Sequence, residues 1–128
     1  RDWKPIGQDH GDPDLTAAIR ASQTAGQPPL LVVFGHMHHR LRHTKRRLRQ
    51  SFAQDEWGTI YLNVASVPRI VGERSQQRRN FTLITLDGSQ VTAAELVWTD
   101  NEGKIDRRLS YFPTPDMARQ LSLDGEGF

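Results

Sequence analysis

The sequence has no cysteine, which excludes both a disulfide framework and a metal held by thiolates. It also lacks any apolar run approaching the roughly 18 residues that a membrane-crossing helix requires. Aromatic residues are only 8% of the chain. None is interleaved with the densest positive charge, at Arg40–Arg49, which argues against a stacking platform for single-stranded nucleic acid. Net charge is small as well: 17 Lys and Arg face 15 Asp and Glu, for a balance of +2. The pI of about 9.4 therefore reflects arginine in place of lysine more than bulk positivity. There is no internal repeat and no low-complexity segment. The chain opens on Arg1-Asp2-Trp3-Lys4, without an initiator methionine, a basic-apolar signal or a small-residue cleavage site, so it reads as a piece of something longer.

What is present is enough for one domain with a real core: 128 residues, a quarter of them charged. Residues 1–12 carry Pro5, Gly7 and Gly11 and read as loop. Asp12-Pro13-Asp14 predicts a helix start, with Asp12 as N-cap, Pro13 at the first helical position and Asp14 near the positive end of the dipole. Leu15, Ala18, Ile19 and Ser22 then fall on one face, and Gly26 with Pro28-Pro29 ends the helix.

Leu30-Leu31-Val32-Val33-Phe34 reads as a buried strand that stops at Gly35. A helix leading into such a strand is half of an α/β unit. Further on, residues 46–53 and Thr59–Val64 are expected to pair as a hairpin around a turn at Gln54–Gly58, although Leu41, Leu48 and Phe52 also have helical spacing. Pro68–Asn80, with Arg69, Arg74, Arg78 and Arg79, reads as a polar loop. A meander follows: Phe81–Leu86, a turn at Asp87-Gly88-Ser89, Gln90–Trp98, a turn at Asn101-Glu102-Gly103 and a weaker strand over Lys104–Phe112. Residues 113–128 read as a frayed, disordered tail.

The chemistry is concentrated at Gly35-His36-Met37-His38-His39, which holds three of the chain's five histidines. Residues two apart in an extended segment point the same way, about 6–7 Å apart along the backbone. His36 and His38 can thus face one site, just past a strand end, where open α/β sheets put their chemistry. Neutral imidazole suits Zn, Mn and Fe ions. A His-X-His pair also arises by accident, and two histidines do not fill a coordination sphere. A catalytic centre needs further His, Asp or Glu ligands, and the candidates here are His10, Asp9, Asp12, Asn63, His39 and His43.

Gly35-His36-Met37-His38 after an apolar strand resembles the last signature of the calcineurin-like metallophosphoesterases. Four other blocks of that family, Asp-X-His, Gly-Asp-X-X-Asp, Gly-Asn-His-Asp/Glu and a lone His, have no counterpart here. Gly11-Asp12-Pro13-Asp14 is not the second of them, because its second acid comes one residue early. Asp2-Trp3-Lys4-Pro5, Asp9–Leu15, Phe34–His39 and Tyr61–Ile70 further resemble a subfamily from photosynthetic lineages, a likeness covering about residues 1–98.

The resemblance implies that His36 binds one metal of a dinuclear pair and His38 the other. The bridging Asp, the Asn ligand and the proton-donating His would belong to a preceding N-terminal half. It further implies a fold: residues 1–112 would form the C-terminal half of a metallophosphoesterase α/β sandwich, one helix followed by a mostly antiparallel or mixed set of strands. The function expected is phosphoester hydrolysis with two divalent ions (Mn, Fe or Zn), in the cytoplasm or a plastid stroma, with this chain inactive alone.

Three further residues are candidates for substrate binding. His10, ahead of a helix N-terminus, can help hold a phosphate or simply bond a cap. His39 lies just past the two ligands, on the other face if the segment is extended. Arg69 can reach a phosphate bidentately or form a structural ion pair. Asn63 is expected to fix backbone beside the site. The competing class is a small basic module using Arg40–Arg49 on nucleic acid or another anion, and the plainest reading of that run is a solvated hairpin edge.

Overall fold

Asp12 begins the described part of the chain as the sequence predicts. In a computed structural model, which describes residues 12–35 and 51–113, its carboxylate accepts from the backbone N–H of Asp14 at 2.9 Å. Helix α1 then runs Pro13–Thr24. It closes where Ala25 N–H donates to Ala21 C=O and Gly26 N–H to Gln23 C=O. Gly26 has φ of +75°, a left-handed conformation that a side chain would strain. Of the predicted apolar face, Leu15 is exposed and Ile19 half-buried, whereas the polar Gln23 is the helix's buried residue.

The chain falls into two compact units, divided between Pro68 and Arg69. The first holds α1 and a three-stranded sheet of β1 (Leu31–Phe34), β2 (Phe52–Gln54) and β3 (Ile60–Asn63) in the order β1-β3-β2. β1 pairs with β3 in parallel, Leu31 opposite Ile60 through Phe34 opposite Asn63. β2 pairs with β3 antiparallel, Phe52 opposite Leu62. Of the hairpin expected from 46–53 and 59–64, residues 46–50 lie outside the described residues; the described part pairs Phe52–Gln54 with β3, around a turn at residues 55–58. β3, flanked on both sides, is the core strand: Leu62 and Asn63 are fully buried, and Ile60 nearly so.

β1 corrects an expectation. It is a strand, but not a buried one: Val33 is 47% and Phe34 40% exposed. Among the described residues β1 lies at the edge of its sheet, so its apolar composition on both faces is not matched by cover on both.

The second unit holds β4 (Ile70–Val71), β5 (Arg78–Asp87), β6 (Gln90–Thr99) and β7 (Ile105–Ser110), an antiparallel sheet in chain order. The predicted meander is there, with two-residue Gly88-Ser89 joining β5 and β6. Ala94 and Val97 on β6 are fully buried, and Tyr111 packs under the same strand with its hydroxyl 3.1 Å from Thr82 Oγ1. Ion pairs Arg108–Glu95 and Arg78–Asp106 link exposed strand positions.

The expected polar loop over Pro68–Asn80 is not a loop throughout. Ile70 and Val71 pair with Arg79 and Arg78, and Asn80 N–H donates to Arg69 C=O at 2.9 Å. The turn between them requires Gly72, whose φ is +90° and whose missing Cβ would lie 2.5 Å from Gln76 C=O. Among the described residues the class is thus α/β, one helix followed by two sheets of mixed and antiparallel strands. Among the described residues no helix is long and apolar enough to cross a membrane.

Candidate functional site

The carboxyl end of β3 is where the first unit gathers chain ends. Because β1 runs parallel to β3 and β2 antiparallel, the end of β1 and the start of β2 both lie at this end of the sheet. Val64 N–H donates to Phe34 C=O, and Asn63 N–H donates to Ser51 C=O, each at 2.9 Å. Phe34, Asn63 and Ser51 therefore form one row across three strands, with Gly35 leaving it on one side.

Asn63 gives that row its rigidity. Its side chain is fully buried, and its Oδ1 accepts from Ala65 N–H at 3.1 Å. A short amide bonding the backbone two residues on is a turn device. Here it fixes the chain as it leaves β3, immediately beside the exit of β1. Asn63 so does what its place in the sequence suggests, holding backbone next to the glycine that precedes His36.

The expected ligands His36 and His38, and the candidates His10 and His39, lie outside the described residues, as does Arg40–Arg49. Among the described residues no group of three or more His, Asp or Glu side chains comes together in a way that could hold a metal. Arg69 is described. It belongs to the second unit, its carbonyl accepts from Asn80 N–H, and its guanidinium bears on Tyr111. Burial pushes the Tyr111 phenol up, while the Thr82 hydrogen bond and the Arg69 charge pull it back.

One polar cluster in the first unit escaped sequence reasoning. Asp55 Oδ2 accepts from Gln23 Nε2 and from Tyr61 Oη, both at 2.7 Å. Its Oδ1 accepts from the backbone N–H groups of Trp57 and Thr59 at 2.9 and 3.0 Å. Partial burial draws the Asp55 carboxyl upward. The bonds from Tyr61, Thr59, Trp57 and Gln23 outweigh it and hold the carboxyl below its ordinary range. Burial, and then the carboxylate itself, push the Tyr61 phenol up.

A shallow hollow of about 360 Å³ opens beside this cluster, lined by Arg20, Gln23, Thr24, Asp55, Glu56 and Trp57. Both carboxylate oxygens already accept two hydrogen bonds each, which uses the capacity of the group. Asp55 is thus a tie between α1 and the β2–β3 hairpin rather than a free base or ligand. The only sequence signal was Asp55 followed by Trp57-Gly58, the pattern of a turn.

Compared with known proteins, the chain matches no family model, and neither a curated protein nor a solved structure shows significant similarity to it.

Proposed function

We propose that this chain is the C-terminal portion of a metal-dependent phosphoester hydrolase, to which it contributes His36 and His38 as ligands of a dinuclear centre. The observation that carries the reading is the row Phe34–Asn63–Ser51. It puts Gly35, the residue before His36, at the carboxyl end of a parallel strand pair, with a buried asparagine bracing the neighbouring strand exit. Open α/β sheets bind their ligands outside the carboxyl ends of their strands.

The donor chemistry fits one side of such a centre. Imidazoles suit Zn, Mn and Fe, and the carboxylates that bridge two hard cations would come from a preceding half of the domain. Bound there, two divalent ions supply Lewis acidity to a phosphoryl oxygen and a water-derived nucleophile at neutral pH. The chain's own part is to hold the ions through His36 and His38. Substrate-binding roles for His10 and His39 belong to the same proposal, as does a location in cytoplasm or plastid stroma.

The test is equilibrium binding of Mn²⁺ to the 128-residue chain, followed by the spin-resonance signal of the free ion. Wild-type chain should bind Mn²⁺, and His36→Ala with His38→Ala should abolish the binding while circular dichroism stays unchanged. Binding that survives the double substitution would sink the reading.

A further inference from the structure

The hollow beside Asp55 carries charge of both signs, and neither charge is answered within it. Arg20 on α1 and Glu56 in the turn between β2 and β3 both line it. Among the described residues neither side chain takes part in an ion pair or a hydrogen bond. One carboxylate sets the spacing between the two walls. Asp55 accepts from Gln23 Nε2 on the α1 side and from the Trp57 N–H on the turn side. Arg20 precedes Gln23 by three residues, on the same helix face, and Glu56 adjoins Trp57. The two charges are thus mounted on a frame that is already tied together, which lowers the cost of ordering them around a ligand.

Gln23 adds a third polar group. It is only 7% exposed and lines the hollow. Its Nε2 is engaged by Asp55, while its Oε1 has no partner among the described residues. An amide oxygen accepts and cannot donate, so it calls for a donor such as an ammonium group. Trp57, 51% exposed, offers an indole to which cations and apolar groups are both attracted.

We propose that this hollow binds a free α-amino acid with an apolar side chain. The ligand's carboxylate pairs with Arg20, its ammonium with Glu56 and Gln23 Oε1, and its side chain lies against Trp57. A simple anion would be repelled by Glu56 and a simple cation by Arg20. A zwitterion meets an opposite charge at each end. The volume, about 360 Å³, is at the lower end of the roughly 300–1,000 Å³ of small-molecule sites, which suits a ligand of this size. Nothing in this site depends on the metal-site reading.

The experiment is titration of the 128-residue chain with L-phenylalanine, followed by the indole N–H resonance of Trp57, which is assigned by its loss in Trp57→Phe. Two amputated probes accompany it: N-acetylphenylalanine, without the ammonium, and phenylalaninamide, without the carboxylate. Phenylalanine should bind about fivefold more tightly than either, the worth of one solvent-exposed charge contact. Arg20→Gln should erase the advantage over phenylalaninamide and keep that over N-acetylphenylalanine. Glu56→Gln should do the converse. Both substitutions leave the bonds to Asp55 in place, so the urea midpoint should stay at the wild-type value. A Trp57 resonance that does not move, equal affinity for the three probes, or a selectivity indifferent to both substitutions overturns the proposal.

Discussion

Asp55 shows how one side chain can settle a local geometry. Four donors converge on it: one from α1, two from its own turn and one from β3. A group whose folded pKa lies below its unfolded value adds stability above that unfolded value, about 3.9 for Asp. The contribution is lost as pH falls through the lower, folded pKa. Unfolding followed in urea should therefore show wild type losing more stability between neutral pH and pH about 3 than Asp55→Ala does. Tyr61→Phe, which deletes one of the four donors, should lower the urea midpoint at pH 7, and by less than Asp55→Ala.

Little of this was legible in the chain. Gln23 and Asp55 are 32 residues apart, and no periodicity connects a helix glutamine to a turn aspartate. Asn63 was legible because its position beside a strand end is itself a local signal.

At the scale of elements, local chemistry predicted well wherever an end was marked. Asp12-Pro13 fixed the start of α1, and Asp87-Gly88 the β5–β6 turn, each through a side chain or a glycine that acts within a few residues. β4 was hidden because two residues are too few to show alternation, and Gly72 looked like loop composition rather than a tight turn. Gly72→Ala should destabilise the β4–β5 hairpin, since the new Cβ meets backbone at a φ that side chains avoid. Amide hydrogen exchange at Arg78–Asn80 should then accelerate.

β1 was misjudged in the other direction. Its residues are apolar on both faces, which normally accompanies cover on both, yet Val33 and Phe34 are exposed. The fully buried Leu62 on β3 gives the contrasting case: Leu62→Ala should cost about 2–5 kcal/mol, read as a lower denaturant midpoint with unchanged slope.

For the molecule as a whole, the class of fold and the β5-β6-β7 meander followed from the alternation of apolar and turn residues. The division after Pro68 did not. A boundary of that kind depends on which strands share a sheet, and strand pairing is a long-range property. The candidate site was legible in its chemistry, as a pair of imidazoles beside a basic run. Its residues lie outside the described ones; what the order β1-β3-β2 adds is that Phe34 and Ser51 flank the same end of β3.

The row Phe34–Asn63–Ser51 is held together by main chain alone. Its bonds run from the backbone N–H groups of Asn63 and Val64 to the carbonyls of Ser51 and Phe34, so a change of side chain leaves every donor and acceptor in place. Ser51→Ala, which alters a side chain and keeps the accepting carbonyl, should therefore leave the far-ultraviolet spectrum of the chain unchanged. The frame at this end of β3 thus belongs to the main chain, and the side chains of Phe34 and Ser51 are open to replacement without redesigning what holds it up.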